Sequence, residues 1–422
     1  MNAILFYIIS TLIIFACLFF LWKNRREFFN LRATFNIFYL LFFGIVPVFQ
    51  FRVNVSFFGG RTLLTQEYTT VSAIFLIIVV LYNLFYNYFK KTFKTIGINK
   101  HKSEDFSTTV GKLPNLILAI VVLCFIIKLI YLYTGYVNFF VRGFFLPLEN
   151  KIIAGFLNQL YILICILPIT VLLYVLSGKM SVKNKYLFIF LVIAAFINAF
   201  PISMSRVNVA TLYLPIVVIL ARKYFSVKYF SFFLIGSFLF IFPLLNKFRE
   251  YQFTHKINPF EGFFQFDQAH YDNFYNFALT YFDVPITYGK QLLGALLFFV
   301  PRTVWHNKPI GSGNYMANLE GFSFGNVSQN FFAEGYINFG LLGILFFLIL
   351  YALLSCYIDK LGKIYWERKS WGMVIYLQLI FFSFFLMRGD LISSIALLIN
   401  YVIVNLIIYV AWKYTTPNKQ QS

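Results

Sequence analysis

Four short strings in this chain hold residues able to do chemistry. The first is Pro301-Arg302-Thr303-Val304-Trp305-His306-Asn307-Lys308-Pro309. Its two cations could grip a phosphate-bearing headgroup such as a pyrophosphate. Guanidinium binds phosphate through several parallel hydrogen bonds, and the prolines restrict the backbone that carries it. The same string could equally anchor the chain at a membrane surface, where Trp305 is at home. The second string, Glu334-Gly-Tyr-Ile-Asn338-Phe-Gly340-Leu-Leu-Gly343, opens an apolar block. Glu334 is there either a general base or sugar-hydroxyl ligand, or a carboxylate favoured by a helix start, with glycines for close helix packing. The third and fourth are Met204-Ser205-Arg206 and Arg388-Gly389-Asp390, each at the edge of an apolar block. Each terminates a span or presents an arginine to substrate. Arg388 and Asp390 lie two residues apart and do not meet on a helix, so an ion pair between them requires a turn.

Other ionisable residues add to this set. Asp283 is a second candidate base, and Arg142 and Arg249 are candidate anion ligands on loops. Lys128 lies inside an apolar block, where it snorkels to the surface along its stem or faces an internal cavity. Asp267, His270 and Asp272 imitate a metal site only weakly. The four histidines show no HExxH or HxxxH spacing, and Cys17, Cys124, Cys165 and Cys356 show no CxxC. No metal or cofactor is expected. Neither a P-loop nor GxGxxG is present, which removes support for ATP-driven transport and for nucleotide-dependent chemistry.

These residues must be positioned by a membrane fold. Of 422 residues, 60% are hydrophobic and 12% charged, and the mean hydropathy is +0.76. Ordinary soluble domains carry about 25% charged residues. The apolar residues come in blocks of about 20, the length that crosses a bilayer as a helix. An all-α polytopic membrane protein of about eleven spans is expected: 3–22, 33–50, 68–89, 114–134, 152–177, 186–204, 207–221, 229–246, 333–358, 371–387 and 391–412. These form a single membrane domain, 1–422, with one large loop, 247–332, between the eighth and ninth spans. Within that loop the apolar run Leu292–Val300 is too short to span and is expected to lie in the interface or dip into it.

The net charge of +20 would suggest nucleic acid in a soluble protein. Here topology accounts for most of it. The loops on one side hold 22 of the 35 Lys and Arg and five of the 15 acids. The positive-inside rule makes that side cytoplasmic, with the N-terminus outside and the C-terminus inside. The opposite side carries seven arginines, at 52, 61, 142, 206, 249, 302 and 388, against five lysines. Topology does not favour arginine over lysine there; multidentate contact with phosphate or carboxylate does.

Many spans, one large outer loop ending in PRxxWxxKP, and ExxxNFGxxG at the next span together resemble the Wzy-type O-antigen polymerases, or oligosaccharide repeat unit polymerases. The quotable motifs cover about 45 residues (301–343), with the Ser205-Arg206 and Arg388-Gly389 pairs. His306 departs from the pattern, standing where proline or a small residue is usual. The resemblance implies a GT-C-like, metal-independent glycosyltransferase of the cytoplasmic membrane, working on its outer face. It would move a growing glycan from undecaprenyl pyrophosphate to the non-reducing end of the next lipid-linked repeat unit. Arg302, Glu334 and Asp283 become catalytic candidates on that view. Arg206, Arg249, Lys308, Arg388, Arg142 and Trp305 become ligands of the pyrophosphate and substrate. The implied partners are lipid-linked repeat units and membrane lipids, with a chain-length regulator and a flippase, and no nucleic acid. An O-antigen ligase differs in its acceptor, lipid A-core. A lipid-linked oligosaccharide flippase or transporter would place charge near the membrane midplane, where only Lys128 is found.

Overall fold

The computed structural model describes residues 2–95, 111–133, 135, 151–222, 226–241 and 266–415. In chain order its helices are α1 (Asn2–Lys23), α2 (Leu31–Tyr39), α3 (Val46–Val53), α4 (Thr65–Thr95), α5 (Asn115–Tyr133), α6 (Lys151–Leu176), α7 (Lys185–Asn198), α8 (Arg206–Leu220), α9 (Val227–Gly236), α10 (Asn273–Asp283), α11 (Lys290–Leu296), α12 (Ser312–Leu319), α13 (Phe331–Glu367), α14 (Gly372–Arg388) and α15 (Leu391–Thr415). Eight helical stretches among the described residues are long and apolar enough to cross a membrane. Three shorter apolar helices, Arg206–Leu220, Val227–Phe240 and Gly372–Arg388, lie at the remaining expected span positions. The protein is therefore an all-helical, multi-pass membrane protein. Among the described residues strand is confined to a two-residue parallel pairing of Gly111–Lys112 with Met180–Ser181.

Local sequence accounts for the helix starts. Asn30, Asn184, Ser205 and Asn330 each accept a backbone N–H in the first turn of α2, α7, α8 and α13, which satisfies donors that a helix leaves bare. The second span is not one regular helix. A π-helical turn, Leu40–Ile45, joins α2 to α3. Pro47 offers no N–H to the carbonyl four residues back, and the ladder widens around it.

The buried centre is aromatic. α4 packs between α1 and α13, α14 packs on α8, and α6 on α7. Phe35 stacks on Tyr82 with centroids 3.7 Å apart, and Phe43 meets Phe75 at the same separation. At the end of the bundle that holds Asp359, this carboxylate caps the start of α2. It accepts from Leu31 N (2.8 Å) and from the hydroxyls of Tyr86 (2.8 Å) and Tyr376 (3.1 Å).

The segment after residue 265 is folded into the opposite end of the bundle. Residues Asn273 to Thr280 of α10 are all buried. α13 is broken at Phe339–Gly340, where Gly340 takes φ +64. The carbonyls freed by the break are met by the preceding chain. Thr287 N donates to Ile337 O at 2.7 Å and Gly289 N to Asn338 O at 3.2 Å, while Leu292 N donates to the Asn338 side chain at 2.8 Å. The expected interfacial run thus begins as the short helix α11 and plugs this break. Its Leu293, Leu296 and Phe299 remain exposed, as does Val304 just beyond it. At Gly343 a Cβ would lie 1.9 Å from Gly335 O, so two glycines let the chain double back on itself.

Candidate functional site

A cavity of about 470 Å³ opens at the end of the bundle away from Asp359. Its floor is phenylalanine: Phe38 and Phe42 from the second span, Phe238, and Phe381, Phe384 and Phe385 along one face of α14. Phe58 and Phe324 stand at its edge, 5.7 Å apart between ring centroids. Phe58 holds φ +56, an uncommon backbone state for a non-glycine residue. Ser323 N and Oγ both donate to its carbonyl at 3.0 Å.

Polar groups converge above this floor. Arg206 enters as the first residue of α8, and Arg388 as the last of α14. The N-terminus of α8, Ser205–Val207, and that of α15, Asp390–Ser393, both reach the cavity wall. Helix N-termini of this kind carry partial positive charge and unused N–H donors. Two carboxylates balance the cations, and both are already engaged. Asp272 is 1% exposed and accepts from Arg388 Nη2 (3.0 Å), Ser328 Oγ (2.5 Å) and Asn276 Nδ2 (3.0 Å). Asp390 accepts from Ser393 N (2.8 Å) and Oγ (2.9 Å) at the start of α15. Arg388 also donates from Nη2 to Ala269 O at 3.1 Å, while its buried Nε has no partner among the described residues. The Arg388-Gly-Asp390 turn thus makes no internal ion pair: its two charges are held by different neighbours.

Of the residues selected from sequence, Arg206 and Arg388 are brought together here. The other catalytic and phosphate-binding candidates among the described residues lie elsewhere. Arg302 donates to Lys308 O (2.5 Å) and Pro309 O (3.0 Å), and Lys308 Nζ to Phe298 O (2.5 Å) and Val300 O (2.9 Å). Both cations brace their own loop, and burial together with the Arg302 charge lowers the Lys308 ammonium below its ordinary value. Trp305 is half-buried in the same loop. Glu334 is 2% exposed and accepts from Ser312 Oγ and from Leu391 N (2.8 Å), tying α12, α13 and α15 together. Asp283 forms an outlying pair with Arg61 (2.6 Å), which also binds Glu67 (2.7 Å). Those two carboxylates raise the Arg61 guanidinium further above its ordinary value. Arg142 and Arg249 lie outside the described residues. Lys128 neither snorkels nor lines the cavity. It is buried in the bundle, 2.5 Å from Tyr161 Oη and over that residue's ring.

The cavity also holds His270, which the metal-like Asp267–Asp272 pattern flagged for the wrong reason. Among the described residues no group of three or more His, Cys, Asp or Glu could hold a metal ion. His270 instead sits alone on a three-ten turn, Ala269–Tyr271, beside the two arginines. Burial, then Arg206, then Arg388, lower its imidazole to about 2.

Comparison of the chain with known protein families, with curated proteins and with solved structures finds no match. The site therefore has to be read from its own chemistry. It combines guanidinium and helix N-termini with a phenylalanine-walled hollow at the edge of a membrane bundle. Such a hollow suits an anionic headgroup on an apolar tail.

Proposed function

We propose that the protein is a membrane glycosyltransferase that polymerises lipid-linked oligosaccharide repeat units, as its resemblance to the Wzy-type polymerases implies. On this reading the chain crosses the cytoplasmic membrane eleven times in a GT-C-like arrangement, with its N-terminus outside and its C-terminus in the cytoplasm. The cavity lies at the outer face. The convergence of Arg206 and Arg388 on one phenylalanine-floored cavity is the observation that carries the reading.

The chemistry follows from the groups present. The donor glycan arrives on undecaprenyl pyrophosphate, with its phosphates between Arg206 and Arg388. The phenylalanine floor takes the first isoprene units. A hydroxyl at the non-reducing end of the next repeat unit attacks C1 of the donor sugar. As the C1–O bond breaks, charge develops on the pyrophosphate. Cations and helix N-termini already fixed around it stabilise that charge without reorganising. Phe58 and Phe324 offer ring faces to the sugars. The Arg302–Lys308 loop, with its exposed apolar residues, holds the outer leaflet beside the entrance.

The test compares cells carrying the intact gene, a null and Arg388→Ala. Surface glycan is resolved on a sizing gel, and the lipid-linked pool is probed in parallel. Single repeats at the surface with the ladder lost support polymerisation. Long chains stranded on the carrier make the protein a ligase. Repeat units trapped on the cytoplasmic side make it a flippase. Either of the last two results overturns the proposal.

A further inference from the structure

His270 differs from the other polar residues of the cavity. It is 7% exposed, and neither Nδ1 nor Nε2 has a hydrogen-bond partner among the described residues. A buried donor or acceptor left bare costs about 1–3 kcal/mol, and a neutral imidazole presents one of each. The surrounding structure nevertheless holds the ring in place. Gln50 Nε2 donates to Phe266 O and Tyr271 O, each at 2.9 Å, and so fixes both ends of the segment. Arg388 donates to Ala269 O, and the Tyr271 ring lies against the imidazole with centroids 4.0 Å apart. A ring that is positioned, sheltered and unpartnered beside two guanidinium groups is suited to a proton that arrives with the substrate.

We propose that His270 accepts the proton of the attacking sugar hydroxyl, and that pyrophosphate bound between Arg206 and Arg388 makes it basic enough to do so. This rests on the glycosyl-transfer reading above. Among the described residues four charged groups share the cavity with the ring: Arg206 from α8, Arg388 from α14, Asp390 at the start of α15, and Asp272 in its own segment. Of these four, the charges that act on the ring are those of the two arginines. Their positive field disfavours an imidazolium. A pyrophosphate cancels that field and adds negative charge beside the ring. In the reaction the hydroxyl oxygen bonds to C1, and the C1–O bond to the pyrophosphate breaks, its electron pair leaving with the phosphate. The hydroxyl proton passes to a ring nitrogen. When the pyrophosphate departs, the arginine field returns and expels the proton.

The experiment is isothermal titration of farnesyl pyrophosphate into the full-length protein in nanodiscs at pH 7, in two buffers of different ionisation enthalpy. The wild type is expected to take up more protons per bound pyrophosphate than His270→Gln, by up to one. The polymer ladder of His270→Gln is expected to fall by about 10²-fold or more, the usual contribution of a general base. His270→Ala should regain part of its activity with added imidazole. His270→Asn stands in should the glutamine variant fail to fold. Equal proton uptake in wild type and variant, or an undiminished ladder in the variant, overturns the role of His270 while leaving the polymerase reading intact. If farnesyl pyrophosphate does not bind the wild type, the glycosyl-transfer reading fails and takes this role with it.

Discussion

Arg388 serves two purposes, and the two can be separated. It binds Asp272 at 3.0 Å, and Asp272 is 1% exposed. Replacing Arg388 by alanine strands that carboxylate. Removing one partner of a fully buried pair costs about 3–5 kcal/mol. The Arg388 side chain is 26% exposed, and Asp272 retains its bonds from Ser328 and Asn276. The electrostatic loss therefore falls to about 1–2 kcal/mol. The bond to Ala269 O adds about 1 kcal/mol. Arg388→Ala is then expected to destabilise by about 2–3 kcal/mol and to abolish the ladder. Asp272→Asn removes the stranded charge and keeps one of its two remaining bonds, because Ser328 Oγ donates to Oδ1 and Asn276 Nδ2 to Oδ2 and the amide offers a single oxygen. The double variant should recover at least 1 kcal/mol relative to additivity, yet still make no polymer. The assay is a double-mutant cycle on denaturant unfolding of purified protein in detergent micelles, run beside the sizing gel. A coupling energy below about 0.5 kcal/mol would refute the buried-pair account. A stable double variant with a full ladder would refute the pyrophosphate role.

Arg302→Ala should lower polymer amount less than tenfold, because its guanidinium is spent on Lys308 O and Pro309 O; a loss equal to that of Arg388→Ala on the same gel would put Arg302 in the reacting site. Glu334→Gln keeps an acceptor for Leu391 N and should retain both fold and polymer, whereas Glu334→Ala leaves that N–H bare and should cost about 1–3 kcal/mol in an unfolding titration. Loss of polymer in a well-folded glutamine variant would show that the carboxylate takes part in the reaction. Gly343→Ala must push a Cβ into Gly335 O and should reduce the yield of monodisperse protein in size-exclusion chromatography. Normal yield would mean that the fold-back of α13 is not as tight as described.

The membrane class was legible because bilayer-length apolar blocks need no tertiary knowledge to recognise. Arg206 and Arg388 stood out for a similar reason: a cation at a span edge is conspicuous against apolar neighbours. Their meeting was not legible. They are 182 positions apart in the chain, and nothing local says that α8 packs on α14. Arg302 and Lys308 misled in the opposite way. Their motif is the most specific string in the sequence, but spacing cannot tell a cation aimed at a ligand from one aimed at its own carbonyls. Phe381, Phe384, Phe385 and Arg388 share a helical face by their spacing. In a chain with 58 phenylalanines such a pattern carries little weight. His270 had no signal of its own, because its meaning lies in bonds it does not make.

The break at Phe339–Gly340 has a bearing on how this protein can change over time. In an unbroken helix, one inserted residue turns everything beyond it by about 100°. Here the hinge isolates Asn330 to Asn338, clipped in place by Thr287 and Leu292, from the long span that follows. Residues gained or lost beyond Gly340 alter the length of that span and the face it shows to lipid. They leave Glu334 seated on the start of α15. A lineage moving to a thicker or thinner bilayer could therefore adjust this helix while the chemistry-bearing end of the molecule keeps its register.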